Sequence, residues 1–560
     1  MGVARTTVAL ALVTALGCDR RTLPAPAMSS RPEPVAVEVA ELDAGEPDAG
    51  EPEVAVVMPP ADAAPVRPGR PALDLRMDDG WPAVNAWNAR MEEEYGAFVA
   101  ALGSAIAERR CRRLDQCLRD PGINTLFDEG DRRLRLSVDC ADLPYILRGY
   151  FAFKRRLPFG FVSRVRGHGD DARYTVSTRP DEWRHWRQYR TPRAFFASMT
   201  SEVHSGMYRL SPRHERGDFY PPAMRRGSVR PGSAFYDPNG HVLVVTEVRR
   251  DGAVYLIDGH PDGSLTFKRF GEAFAVGTRG LGGGFKNFRP LRWDGRALTR
   301  ATNAEIEDFD GDSQYSPEAW AAGAPPEPVE DAGRRSRRRQ GPSYYDWVRR
   351  SLAAPDAVLD PVQEFREQLT ALCRDVADRA EAVQLSLDAG LHRRPHPPAL
   401  PWNIYGTSGD WETYSTPSRD ARLKASFRQL YEHAQTHATD PSRRDAMRAA
   451  WVELAPTDAC SVTYATSAGG RVRLDLGEVT ARLFAMSFDP YHCPELRWGA
   501  PAGSAELRAC PDDAGKRGWY RAEQRLRNRI DRAYGVATPL EDGPEAAPEL
   551  DPRTLLGVDR

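Results

Sequence analysis

The chain has 560 residues, with 77 Lys and Arg against 79 Asp and Glu, so its formal net charge is -2. This balance lacks the basic signature of a nucleic-acid binder, and no nucleic-acid partner is expected. The apolar fraction of 41% supplies real cores, and the length calls for roughly two to four domains.

Residues 1–18 read as an export signal: Arg5 is the charged start, residues 6–16 are apolar, and Gly17-Cys18 follows. The apolar run is short for a membrane span. The ending Ala15-Leu16-Gly17-Cys18 resembles a bacterial lipobox, although Ala15 stands where a larger aliphatic residue is usual. Cys18 is therefore the expected lipidation site. It would anchor an envelope protein to the membrane, facing the periplasm or exterior; without lipidation the chain would be secreted. Residues 19–75 are rich in Pro, Ala and Glu and repeat Asp-Ala-Gly-Glu-Pro at 43–47 and 48–52. They cannot bury enough apolar surface to offset their ordering entropy and are expected to form a disordered tether.

A folded body is expected over 80–295. Trp87, Met91, Tyr95, Phe98, Leu102 and Ile106 step at helical spacing. A second helix is expected from Leu143, Ile146, Leu147, Tyr150 and Phe151, capped by Asp139 or Asp142. Pro144 costs nothing with Asp142 as cap, which leaves Cys140 in the entry turn. There the helix dipole should favour a thiolate. Further on, two β-branched runs, 242–248 and 253–257, flank Asp251-Gly252 and predict a two-residue hairpin. In that register Arg250 opposes Ala253 and His241 opposes Asp262, with Asp258 and His260 on the His241 face.

Residues 302–340 turn acidic, then Pro-rich, then basic, and are expected to be an inter-domain linker. Residues 341–540 read as a mainly α-helical domain, with a long helix stepping from Val362 to Leu387 and ending at Gly390. Pro417 and Pro441 stand at first helical positions. Residues 401–416, with Trp402, Tyr405 and Trp411, form an aromatic loop that suits either a ligand platform or a packing role. Residues 541–560 are expected to be a disordered tail. The acidic stretch Asp308-Phe309-Asp310-Gly311-Asp312 lacks the glycine position of a calcium-binding loop. His492-Cys493 lacks zinc spacing, so disulfides are expected among the late cysteines. No cofactor and no metal is read from the sequence. With Cys18 as anchor, seven of the eight cysteines remain, an odd number that leaves at least one thiol unpaired.

A cysteine at a helix entry, a later strand opened by Gly-His, and a polar residue on the next strand are the parts of a Cys–His nucleophile with an orienter. Asp139-Cys140-Ala141-Asp142-Leu143 resembles the Asp-Cys-Ser-Gly-Leu helix of the NlpC/P60 cell-wall peptidases, which have a papain-like fold. Arg230-Pro231-Gly232-Ser233 followed by Gly240-His241-Val242 resembles that family's Pro-Gly-Asp turn and Gly-His-Val strand. The order Cys, His, Asp, with Asp258 before a glycine, also resembles the transglutaminase-like branch. The resemblance implies an α+β papain-like domain, its Cys-bearing helix packed on an antiparallel sheet. It implies Cys140 as nucleophile, His241 as general acid/base, and Asp258 or His260 as orienter. It further implies a cysteine peptidase or amidase acting on peptidoglycan or an envelope protein. The competing expectations are a catalytically inactive binding or scaffold lipoprotein and an amide transferase.

Overall fold

The structure is a computed structural model that describes residues 80–169, 171, 173–321, 344–406, 409–532 and 536–559. The signal segment with Cys18, the tether, and the centre of the expected linker lie outside the described residues.

The first long helix, α1 (Ala89–Ala107), buries Tyr95, Phe98, Val99, Leu102 and Ile106, the stripe its spacing predicts. After the short α2 (Leu114–Arg119) comes α3 (Asp142–Lys154), buried over nearly its whole length. Strands β1 (Gly160–His168) and β2 (Val176–His185) form a separate ribbon, and α4 (Pro192–Glu202) packs beside it. Ribbon pairing carries β2 through Pro180, which stands opposite Val165.

The main sheet then forms from β3 (Phe219–Tyr220), β4 (Ala234–Asp237), β5 (His241–Val248), β6 (Val254–Gly259), β7 (Leu265–Arg269) and β8 (Gly284–Phe288). It is antiparallel throughout, in the order β3-β8-β4-β5-β6-β7. The fold class is therefore mixed α+β, with a six-stranded antiparallel sheet followed by a mainly helical region.

Both faces of the sheet are covered. Val242, Val244 and Ile257 pack with α1 and α3, whereas Leu243, Val245 and Leu256 face a second core. That second core takes Tyr344, Trp347, Val348 and Leu352 from α6 (Tyr344–Leu352), which follows the short α5 (Pro317–Ala321).

The hairpin differs from the expected one in two ways. The Arg249 N–H donates to the Ala253 carbonyl at 2.9 Å, so the turn has three residues, with Gly252 at φ 81°. This is a turn ending in a left-handed glycine. The close approach of Gly252 to the Arg349 carbonyl at the end of α6 also leaves no room for a Cβ. The longer turn slips the register by one, giving Val248 opposite Val254. A bulge between Val245 and Glu247 then slips it by one more, giving Val244 opposite Ile257. Each slip alone would reverse which residues share a face. Together they cancel, and His241, Asp258 and His260 stay on one face, with His260 rather than Asp262 in line with His241.

The C-terminal half consists of α7 (Pro361–Asp388), α8 (Gly409–Tyr414), α9 (Pro417–His437) and α10 (Pro441–Leu454), then a hairpin of Val462–Ala465 with Arg471–Leu474 and several short helices. Pro361, Pro417 and Pro441 each stand at a helix start. The aromatic loop packs inward in part: Ile404 and Trp411 are buried with Phe488 and Leu526, whereas Trp402 is exposed.

Two boundary expectations are corrected. Residues 302–321 belong to the first half rather than to a linker, because Gln314 is buried, accepts the Phe285 N–H and donates to Pro222. Residues 541–559 are not a loose tail: Leu550 and Leu556 dock into the core of the helical half.

Nor are the halves separate bodies; residues 71–560 form one compact unit. Lys268 bonds Asp375 and Asp378 on α7, each at 2.8 Å, Arg269 bonds Glu364 at 2.7 Å, and Arg532 reaches the fully buried Asp237 at 2.6 Å. No helix among the described residues is long and apolar enough to cross a membrane.

Two outcomes check this architecture. A chain nicked at an engineered protease site within 322–343 should elute as one species in gel filtration, and separation of the pieces would refute the shared interior. Gly103 on α1 lies where a Cβ would stand 2.3 Å from the bulge residue Thr246. Gly103→Ala should therefore lower the denaturation midpoint, at a cost of about 1–3 kcal/mol; an unchanged midpoint would refute the packing of the bulge.

Candidate active site

The site forms where β5 and β6 part. Their ladder ends at Val244 and Ile257, and the entry turn of α3 runs into the gap. A Cβ on Gly259 would stand 2.6 Å from the Asp139 carbonyl oxygen, so only glycine admits this approach. The Cys140 thiol takes the Val242 N–H, one residue from His241.

On the second face, His241 Nε2 lies 2.8 Å from Asp258 Oδ2, and the carboxylate is fully buried. Thr266, opposite Asp258 on β7, donates its hydroxyl to Asp258 Oδ1. His260 bonds the Thr266 hydroxyl at 3.1 Å and stands 3.6 Å from Asp258 Oδ2, with its ring stacked 6.2 Å from that of His241. The residue holding His241 is thus Asp258, and His260 supports the cluster from its edge.

With Nε2 held by Asp258, Nδ1 is the His241 nitrogen left to exchange a proton. Among the described residues, no hydrogen bond joins the Cys140 thiol to the ring. The sulfur sits in the split between the strands, and the His241–Asp258 pair lies on the face that the C-terminal half covers.

The charges differ from those expected at a helix start. Asp139 Oδ1 accepts the N–H groups of Ala141 and Asp142 at 2.8 and 3.0 Å, so it is the cap, and its negative charge occupies the positive end of α3. Burial pushes the Cys140 thiol well up, the Asp139 and Asp258 carboxylates add to this, and only the Val242 N–H opposes it. The expectation of a lowered thiol pKa is overturned. Burial, with the Arg422 guanidinium of α9, pushes His241 down despite its bond to Asp258. Burial alone would raise Asp258, but His260, His241 and Lys268 hold it well below the usual carboxylate range. The resting site is a neutral thiol beside a neutral imidazole and a buried carboxylate.

Three disulfides join Cys111 to Cys117, Cys373 to Cys460 and Cys493 to Cys510, and Cys140 is free. The Cys373–Cys460 link between α7 and the segment after α10 has no sequence signal. No known protein family, curated protein or solved structure matches the chain. The likeness to cysteine peptidases therefore rests on the quoted motifs alone.

Several neighbours carry no motif in the sequence. Thr266 is recoverable by extending strand alternation to a third strand. Arg422, Tyr208, whose hydroxyl donates to the Ala141 carbonyl at 2.7 Å, and Ser205, whose buried hydroxyl has no partner among the described residues, are brought in by tertiary packing alone. Beside Gly240 the Tyr174 ring fills the space a side chain would need there and at Gly406, and Arg173 pairs with Glu412 at 3.4 Å.

Removing the Asp139 charge should lower the thiol pKa. Asp139→Asn retains a capping side chain and should speed alkylation of Cys140 near pH 8 severalfold, with the wild-type rate still rising above pH 9. Equal rates in the two proteins would refute this account of the thiol.

Proposed function

We propose that the chain is an exported amide hydrolase of papain-like type, with Cys140 as nucleophile, His241 as general acid/base and Asp258 as orienter. The observation that carries this reading is the buried His241–Asp258 pair at 2.8 Å beside a free thiol in the adjacent strand gap. In this reaction His241 Nδ1 takes the thiol proton as the sulfur attacks an amide carbonyl. The Cys140 N–H, which has no partner among the described residues, is available to the developing oxyanion. The imidazolium returns its proton to the leaving amine, and a thioester remains. A water activated by the same imidazole then releases the acid. Neutral resting partners suit this sequence, because proton transfer accompanies attack instead of preceding it.

The export-like start and the motif resemblance support peptidoglycan peptides as the substrate class and Cys18 as the membrane anchor. This remains an analogy at the level of fold and motif. A second reading, a catalytically silent envelope scaffold, is favoured by the raised thiol pKa and by the helical cover over the His241 face. An amide transferase would share the thioester and differ only in having an amine in place of water.

Purified chain assayed on peptidoglycan peptides should release new amines. Cys140→Ala and His241→Ala should abolish the release, and Asp258→Asn should cut it by about 10² or more, because the imidazole loses its orienter. A wild-type chain that neither releases amine nor accumulates a trappable thioester would establish the scaffold reading.

A further inference from the structure

A second buried cluster lies in the C-terminal half. His396, Asp489 and Glu523 each offer one ligand atom, and the three atoms lie within 4.8 Å of one another. They come from distant parts of the chain, so no spacing motif marks them.

The hydrogen bonds of His396 decide its orientation. Nδ1 lies 2.6 Å from the Pro397 carbonyl, which can only accept, so Nδ1 carries the proton. In the neutral ring Nε2 then presents a lone pair, and it points at Asp489 Oδ2 from 2.7 Å. A lone pair facing a carboxylate is repulsive unless a positive charge lies between or beside them. Donation of the second ring N–H to a backbone carbonyl is the usual setting of a metal-bound histidine. Two donors on one tetrahedral cation at about 2.0–2.2 Å stand roughly 3.3–3.6 Å apart, so the 2.7 Å pair would open by less than about 1 Å on binding.

The third residue supplies an independent observation. Glu523 is 0% exposed, and among the described residues no N–H donor reaches either of its carboxylate oxygens, which face the Asp489 carboxylate. Arg527 stands 3.7 Å away as an ion-pair partner and the neutral His492 ring 4.0 Å away, both beyond hydrogen-bond reach. His492 is already committed, through Nδ1 to Ser487 and Nε2 to the Lys516 carbonyl. Asp489 is oriented from behind, its Oδ1 accepting the Tyr491 N–H at 2.7 Å. The Trp519 ring stacks on His396 at 4.5 Å.

One neutral imidazole and two carboxylates carry a charge that one divalent cation balances. The alternative is the same cluster holding two protons, one on the imidazole and one on Glu523. Both states have equal net charge, so the surrounding arginines do not choose between them. Two facing carboxylates that no N–H donor bridges, and the backbone-anchored His396, fit the cation better.

We propose that His396, Asp489 and Glu523 bind one divalent transition-metal cation, with the mixed nitrogen and oxygen donor set of zinc or manganese. The site stands apart from the Cys140 region, and its fate does not depend on the hydrolase reading.

The test is metal uptake by the tag-free full chain after treatment with a chelator. Dialysis against ZnCl2, MnCl2 or CoCl2 should restore one cation per chain by elemental analysis and raise the thermal midpoint. Cobalt(II) should also show a ligand-field absorption band. Glu523→Gln and His396→Gln should each weaken uptake by about 100-fold or more, as loss of a ligand exceeds the 10–100-fold effect of losing an outer-shell partner. Circular dichroism reports whether each variant is folded; if neither folds, the wild-type titration decides alone. Failure of the wild type to take up any of the three cations, or uptake unchanged in both folded variants, would overturn the proposal in favour of the two-proton cluster.

Discussion

Burial of the central sheet on both faces is the constraint from which the rest follows. A sheet face in contact with water can carry single charged residues at little cost. A covered face cannot, because each desolvated charge needs a partner. The second face carries Asp237, His241, Asp258 and Lys268, and each is matched: Asp237 by Arg532, His241 by Asp258, and Lys268 by two aspartates of α7. The C-terminal half supplies two of these matches, so it acts as the dielectric and counterion environment of the sheet rather than as an appended module.

The same constraint sets the chemistry at Cys140. A helix start is commonly read as thiolate-stabilising, since its free N–H groups carry partial positive charge. Here those groups are spent on the Asp139 carboxylate, one residue from the sulfur. Burial is the larger cause of the raised thiol pKa, and a full negative charge at that distance acts in the same direction and outweighs a partial dipole. The imidazole is biased to its neutral form by burial and by Arg422. Thiol and imidazole are therefore both held uncharged, a state that resists oxidation and nonspecific alkylation better than a preformed thiolate would.

Much of this was legible in the sequence. The stripe of α1, the Cys-bearing helix and the prolines at the helix starts follow from local periodicity and capping chemistry, whereas the joint facing of His241, Asp258 and His260 survives only because the longer turn and the bulge offset each other. The domain boundaries were not, for a physical reason. Residues 302–321 and the C-terminal stretch look like linker and tail by composition, yet a few side chains, among them Gln314, Leu550 and Leu556, dock them to distant cores. Composition averages over a window, whereas docking needs only one or two well-placed groups. The charge state of Cys140 was missed for a related reason. The dipole argument takes the helix start as unoccupied, and the capping carboxylate that fills it is a matter of side-chain geometry. The His396–Asp489–Glu523 cluster has no sequence signature, since its members meet only in the folded chain.

The bulge at Thr246 has a consequence for how this strand can vary. The side chains between Val242 and Val245 are apolar on both faces, and exchanges among residues of similar size are absorbed there. The bulge itself is another matter. Drawing Thr246 into the ladder at constant length would leave only the one-residue slip of the longer turn, and every position of β5 before it would change faces. His241 would then point into the apolar core beneath α3, and Val244 would stand opposite Asp258. Strand β5 is thus permissive to spelling and strict in pairing: a lineage could rewrite most of its letters and keep the site, but could not straighten the bulge at the same length.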